Sequence, residues 1–144
     1  MSYEKKYDCL KLENQLCFPL YASAKEIVRR YKPFLDELDL TYTQYISMMV
    51  LWEEKIISVK ALGEKLFLDS GTLTPLLKTL ERKGFVKRCR SSNDERVVQV
   101  SITESGLALR EKAVFIPKKM ASCVNLSKED VLSLCSILSK ILSY

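Results

Sequence analysis

Residues 66–102 constrain the fold most, because the pattern of a short amphipathic helix is followed directly by that of a β-hairpin. In the helical part, apolar residues recur at the three-and-four spacing that places them on one face: Leu73, Leu76, Leu77 and Leu80. Ser70 is predicted to cap the start of this helix, and Gly84 predicts a left-handed stop at its end. Turn-forming residues then separate two predicted strands, at 86–90 and 96–102.

Basic charge is concentrated in the same unit. Residues 78–96 contain seven basic and three acidic side chains, whereas the whole chain of 144 residues has a formal net charge of only +5. A local excess of this kind is expected of a protein that neutralises nucleic-acid phosphates. A solvated charged hairpin is the alternative, and charge alone does not separate the two. The order of helix, turn, helix and hairpin favours DNA binding.

The residues before this unit predict further helices. Helical spacing of apolar residues predicts a first helix over residues 8–31, kinked at Pro19 and ended by Pro33, which would open a short helix to residue 38. Residues 41–44 match a capping box and begin a largely buried helix, whose predicted core stripe is Tyr45, Met48, Met49 and Trp52. Residues 56–57 predict a short strand, after which Ser58 caps the first helix of a helix-turn-helix.

The C-terminal part predicts two more helices. The first starts at residues 103–106 and should bend or break at Pro117, and the second is capped by Ser127. Its apolar positions approach heptad spacing: Val131, Leu134, Cys135, Leu138, Ile141 and Leu142. A terminal helix this apolar needs a partner.

These patterns predict a mostly α fold with a small β-wing. Residues 1–144 form a single domain in this interpretation, a winged helix-turn-helix with N- and C-terminal dimerisation helices. The DNA-binding lobe is predicted at 41–102, and the dimerisation helices at 8–32 and 104–144. The expected assembly is a two-fold homodimer on a palindromic operator in double-stranded DNA.

Composition argues against several other classes of function. The chain has no run of 18 or more apolar residues, and its N-terminus lacks the apolar core of a signal peptide, so we expect a cytoplasmic protein with no membrane partner. Five cysteines without a C-x-x-C pair fit a reduced compartment: Cys9, Cys17, Cys89, Cys123 and Cys135. Histidine is absent, which removes most catalytic triads and the commonest transition-metal ligand. We therefore expect no metal, no cofactor and no enzymatic activity.

Two further motifs point to one family. Asp94-Glu95-Arg96 has the D-x-R form of a wing signature, and residues 102–106, ITESG, represent the L-T-x-x-G that follows it. Residues 10–33, LKLENQLCFPLYASAKEIVRRYKP, surround Cys17. On these residues the chain resembles the MarR family of winged-helix transcriptional regulators, and more narrowly its organic-hydroperoxide-sensing, OhrR-like branch. The likeness covers nearly the whole chain and weakens after Pro117.

The resemblance implies which residues meet DNA. Its recognition helix would enter the major groove, and its wing arginine, here Arg96, would enter the minor groove with Asp94 as the orienting partner. The remaining candidates lie on the polar face of the helix and on the first wing strand: Ser70, Thr72, Thr74, Lys78, Arg88 and Arg90.

The resemblance also implies a redox switch at Cys17, in which oxidation by an organic hydroperoxide releases the repressor from its operator. In that branch, tyrosines at the spacings of Tyr21, Tyr31 and Tyr42 surround the reactive cysteine. Cys123 of the opposite subunit is the candidate resolving thiol. The weaker candidates are Cys9, Cys135 and Cys89, and a small cellular thiol would otherwise cap Cys17.

Two alternatives stay open. A MarR-type repressor could be switched by a small phenolic or aromatic ligand, with Cys17 as a structural residue. A thiol peroxidase would instead turn over hydroperoxide at Cys17, but the sequence indicates no nearby arginine or helix terminus that would activate the thiolate. A peroxidase consumes its substrate catalytically, whereas a sensor reacts about once per subunit.

Overall fold

A computed structural model describes residues 3–142, and the chain divides at residue 114 into two compact units. The first unit begins with two short 3-10 helices, Tyr3–Leu10 and Leu12–Asn14. The elements that follow in this unit are α1 (Cys17–Asp36), α2 (Tyr42–Glu54), β1 (Ile56–Ser58), α3 (Val59–Leu66), α4 (Ser70–Arg82), β2 (Val86–Arg90), β3 (Val98–Ile102) and α5 (Glu104–Ala113). The second unit contains α6 (Ile116–Cys123) and α7 (Lys128–Leu142). The predicted mostly α fold with a small β-wing is confirmed.

The first α-helix begins at Cys17 and not near residue 8, and it continues through Pro33 to Asp36. The predicted kink at Pro19 and the predicted end at Pro33 are therefore wrong. Pro19 is the third residue of α1, where the backbone N–H would have no helical partner, so the ring removes no hydrogen bond. Pro33 lies in the last turn, where it removes one hydrogen bond and the helix still closes.

Side chains hold the segment before α1 in 3-10 turns. The Asn14 side-chain amide donates to the Asp8 carbonyl at 2.7 Å, and the Gln15 amide donates to the Cys9 carbonyl at 2.6 Å. These bonds satisfy backbone carbonyls that a continuous α-helix would have used. Apolar spacing alone did not reveal them, which is why the predicted helix began too early.

The capping box at the start of α2 is confirmed. The Thr41 hydroxyl accepts from the Gln44 backbone N–H at 3.3 Å, while the Thr41 N–H donates to the Gln44 side chain at 3.1 Å. Tyr45 and Met48 are buried as predicted, but Met49 is 45% exposed. One residue after Met48, its side chain is rotated by about 100° around the helix, away from the core.

The predicted short strand and the helix-turn-helix are confirmed. Ser58 caps α3 by accepting from the Ala61 N–H at 3.1 Å. α3 ends at Phe67 in the left-handed conformation (φ 54°). Gly63 permits the tight turn, because a Cβ at this position would lie 2.6 Å from the Leu68 carbonyl oxygen.

The N-cap of α4 is Asp69 and not Ser70. The Asp69 carboxylate accepts from the Thr72 N–H at 2.8 Å, and Ser70 is the first helical residue. Aspartate and serine cap helices about equally well, so the adjacent pair left the sequence prediction one residue out. The predicted left-handed glycine is confirmed at Gly84 (φ 82°), whose N–H donates to the Glu81 carbonyl.

The sheet has the order β1-β3-β2 and is antiparallel throughout. In the β2–β3 hairpin Val86 faces Ile102, and Val100 of the central strand also pairs with Ile57 of β1. β3 begins two residues later than predicted, because Arg96 belongs to the wing turn that closes when Val97 donates to the Asp94 carbonyl at 2.9 Å.

The four leucines of α4 are at most 8% exposed, which confirms the predicted apolar face. They belong to the core of the first unit, which also contains Leu35, Leu38, Leu40, Tyr45, Met48, Leu51, Leu62, Val86, Val100, Leu109 and Ala113. This core fixes the direction in which the opposite, polar face of α4 points.

The predicted interruption at Pro117 is present, since α5 ends at Ala113 and Pro117 lies in the first turn of α6. In the second unit Ser127 caps α7 by accepting from the Asp130 N–H at 3.1 Å, as predicted. The apolar stripe of α7 is open, with Val131 44% and Ile141 52% exposed. Within residues 3–142, no helix combines the length and hydrophobicity needed to cross a lipid bilayer.

Candidate nucleic-acid interface and redox thiol

The polar face of α4 is exposed to solvent. Ser70, Thr72, Thr74 and Lys78 are all exposed, while the leucines on the other side are buried. The Thr72 hydroxyl donates to the Asp69 carboxylate at 3.2 Å, and the hydrogen bonds from Thr72, with the backbone N–H first, lower the pKa of Asp69. Asp69 therefore stays ionised and keeps the first turn of α4 ordered.

The wing tip presents Arg96. Its side chain is 92% exposed, and its Nε donates to the Asp94 carboxylate at 3.3 Å, so the expected ion pair is present. Asp94 also accepts from the Arg96 backbone N–H at 3.0 Å. Arg90 donates to the Glu95 carbonyl at 2.8 Å across the turn. Asp94 and Arg90 thus shape the loop that projects the Arg96 guanidinium.

Arg88 is engaged within the protein. Its guanidinium Nη2 lies 2.9 Å from the Glu81 carboxylate, which also accepts from the Arg88 backbone N–H at 2.9 Å. The side chain is only 24% exposed, and the backbone N–H of Arg88, followed by its side chain, lowers the pKa of Glu81. In the free protein, Arg88 therefore ties β2 to α4. The sequence indicated only that Arg88 is one of several basic residues in the hairpin, and so a candidate DNA contact.

A groove of about 350 Å³ lies where α3, α4 and the wing meet. Its lining residues are Ser58, Val59, Lys60, Thr74, Leu77, Arg88, Arg96, Val97 and Val98. Three of the predicted DNA-binding residues, Thr74, Arg88 and Arg96, therefore share one surface. Lys60 was missed by the sequence reasoning, although a basic residue in the first turn of the helix before α4 was a usable signal.

Cys17 is exposed and is the first residue of α1. No side chain caps this helix terminus, so the backbone N–H groups of the first turn donate to no capping oxygen and remain open to an anion. Such a terminus attracts negative charge and is a recurrent position for reactive cysteines. The expectation that Cys17 has no helix terminus beside it is therefore wrong, because it rested on a helix that began at residue 8.

The surroundings of Cys17 are apolar and open. Leu16 is 74% exposed and Phe18 is 43% exposed. Tyr21 is 61% exposed and stacks with Lys25, whose ammonium lies 5.1 Å from the ring centroid. An open groove of about 750 Å³ runs along this part of α1 and includes Phe18 and Tyr21 in its lining.

The structure brings Tyr31 and Tyr42 together but places them far from Cys17. Their ring centroids are 5.0 Å apart, and Tyr45 is the third member of this cluster, with its ring 5.9 Å from that of Tyr31. Burial raises the pKa of Tyr31, and the neighbouring Tyr42 adds to the effect. Fourteen helical residues span about 21 Å, so Cys17 and Tyr31 lie well apart along α1.

The remaining thiols are also exposed: Cys9, Cys89, Cys123 and Cys135. Cys9 donates weakly to the Lys6 carbonyl, Cys89 lies opposite Gln99 in the wing, and Cys123 ends α6 in the second unit. Within residues 3–142, no group of three or more cysteine and carboxylate side chains could hold a metal ion.

Comparisons with known proteins agree with one another. Residues 29–112 match the family model described as transcriptional regulator SarA/Rot. The organic hydroperoxide resistance transcriptional regulator of Bacillus subtilis is 51% identical over 139 residues, which cover 96% of this chain and 95% of the relative. The structure of reduced AbfR bound to DNA is similar with a TM-score of 0.80 and 31% identity, covering 94% and 93% of the two chains. A mutant of MarR from E. coli, complexed with operator DNA, has a TM-score of 0.81 and 27% identity, covering 89% and 94%.

Proposed function

The chain belongs to the MarR family of winged-helix transcriptional regulators, in the group of SarA, Rot and the organic hydroperoxide resistance regulators. We propose that it is a dimeric DNA-binding repressor that senses organic hydroperoxides. Oxidation of Cys17 releases it from its operator. In this proposal the protein works in the cytoplasm and does not turn over substrate as an enzyme.

One observation carries the DNA-binding part. The exposed polar face of α4 and the exposed Arg96 border the same groove, while the other face of α4 is locked into the core. A helix and a hairpin arranged in this way can contact the major groove and the adjacent minor groove of one duplex at the same time. Ser70, Thr72, Thr74 and Lys78 are the proposed major-groove and backbone contacts.

Exposed apolar surface supports the homodimer. In the first unit, Leu12 and Leu16 are 58% and 74% exposed, and in the second unit Leu132 and Ile137 are 72% and 57% exposed. Monomeric proteins rarely leave so many large apolar side chains of their helices uncovered, and a second copy related by a two-fold axis covers such side chains symmetrically. Such a dimer reads a palindromic operator with one α4 in each half-site.

The proposed switch begins at Cys17. The thiolate attacks the distal oxygen of the hydroperoxide, the O–O bond breaks, and the second oxygen leaves as an alcohol after taking a proton. The product is a sulfenic acid on Cys17. A second thiol can then attack its sulfur, which forms a disulfide and releases water. Apolar Leu16 and Phe18 beside the thiol favour an organic hydroperoxide over hydrogen peroxide.

The tyrosines that assist this reaction come from two places in the proposed dimer. Tyr21 lies one turn beyond Cys17 on the same helix. Because Tyr31 and Tyr42 are far from Cys17 within one chain, their phenolic O–H groups reach the thiolate only if α1 of one subunit packs against the Tyr31–Tyr42 pair of the other. Cys123 of the partner subunit is the proposed resolving thiol, and a bridge needs Cα atoms within roughly 7 Å.

The proposal is tested with DNA from the protein's own upstream region. The reduced protein should retard this DNA in a mobility-shift assay, and cumene hydroperoxide should abolish the shift with about one equivalent per subunit. Catalytic consumption of the hydroperoxide would favour the peroxidase. Release by a phenolic ligand, but not by hydroperoxide, would favour the ligand-switched repressor.

A further inference from the structure

The groove between α3, α4 and the wing contains a cation to which nothing above assigns a task. Lys60 lies in the first turn of α3 and borders the groove together with Thr74 and Arg96. A solvated surface lysine is the simplest explanation for any one residue of this type. Its neighbours make Lys60 unusual, because both face the proposed path of the DNA.

Two other cations of this lobe are held by acidic partners. Lys65, five residues further along α3, pairs with Glu54 at 2.8 Å. Arg88 pairs with Glu81 at 2.9 Å. The Lys60 side chain is exposed and makes no ion pair or hydrogen bond with any residue in the described range 3–142.

We propose that Lys60 binds a phosphate of the operator backbone, which makes α3 a third DNA-contacting element beside α4 and the wing. This inference rests on the proposed function. A duplex that meets Thr74 and Arg96 passes along the groove that Lys60 also borders, so its ammonium can replace a condensed counterion without first breaking a protein ion pair. A contact of this type positions the protein on DNA and carries no base preference.

The test measures the salt dependence of operator binding for Lys60→Gln and for the matched control Lys65→Gln. Both changes remove one positive charge from α3, but only Lys60 borders the groove. Each dimer loses two phosphate contacts in Lys60→Gln, so the slope of log K against log salt should become shallower by about 1.8. The ratio of the parent's binding constant to that of Lys60→Gln should therefore fall by about twelvefold when the salt concentration rises from 50 to 200 mM. Lys65→Gln should keep the parent's slope.

Three further measurements separate the outcomes. Lys60→Arg should restore the slope, and Lys60→Gln should leave the preference for operator over scrambled DNA unchanged, since a phosphate contact reads no sequence. A parent-like slope in Lys60→Gln, alongside weakened binding by Arg96→Ala, overturns the role of Lys60 and leaves the repressor intact. Parent-like binding by both variants overturns the proposed function itself.

Discussion

Removal of the wing arginine should weaken DNA binding without harming the fold. Arg96 is 92% exposed, and its ion pair with Asp94 is also open to solvent. Exposed pairs of this kind contribute roughly 0 to 1 kcal/mol to stability, so Arg96→Ala should lower the melting temperature by less than about 4 °C. A lost arginine contact to DNA costs about 1 to 3 kcal/mol. Two such contacts per dimer give a loss of at least about 2 kcal/mol, or roughly 30-fold in affinity.

Fluorescence anisotropy with a labelled operator duplex measures this loss, and circular dichroism measures the melting temperature of the same samples. Lys65→Gln is the control for removal of one positive charge, because Lys65 pairs with Glu54 away from the groove. Arg96→Lys keeps the charge but loses the planar guanidinium, so its affinity should fall between those of the parent and Arg96→Ala. Parent-like affinity of Arg96→Ala, in a dimer that melts normally, would refute the assignment of the wing.

Three other predictions concern stability and assembly. Gly84→Ala should lower the free energy of unfolding by about 1 to 2 kcal/mol in urea titrations, because alanine is disfavoured at φ 82°. The added Cβ would meet no atom within 4 Å, so the backbone conformation alone causes the loss, and an unchanged free energy would contradict this. The hydrogen bond from Arg29, the largest cause, holds the pKa of Glu26 at about 2, so this interaction stabilises the fold fully above pH 4.5 and is lost as the pH falls towards 2. Glu26→Gln should remove that part of the acid sensitivity, and an acid-melting profile identical to the parent's would speak against it. Truncation before Val131 should yield a monomer in sedimentation that no longer holds a palindrome, and a truncated dimer with normal binding would assign the interface to the first unit alone.

The winged unit was predictable from sequence because its determinants are local. The leucine spacing of α4, the left-handed Gly84 and the alternation of β3 act within a few residues of one another. Asp69 and Ser70 were confused because both residue types cap helices, and no local pattern ranks one above the other.

Other features depend on contacts that a linear pattern does not contain. The pairing of Arg88 with Glu81 crosses from a strand to a helix, and it converts a predicted DNA contact into a wing anchor in the free protein. The start of α1 at Cys17 depends on side-chain bonds from Asn14 and Gln15 to the preceding backbone. The resemblance implied that Tyr31 lies beside Cys17, but both residues belong to α1, and about 21 Å of helix separates them within one chain.

The most direct test of the central claim treats the operator-bound Cys17→Ser variant with a hydroperoxide and measures whether it releases DNA. The parent, Cys17→Ser and Cys123→Ser are each treated with cumene hydroperoxide, and DNA release and mass under non-reducing conditions are followed together. We predict that the parent gains one oxygen or an intersubunit bridge and releases DNA, and that Cys17→Ser stays bound. Cys123→Ser should still release DNA but lose the bridge or its reversal by thiols. Release of Cys17→Ser at the parent's hydroperoxide concentration would contradict the account.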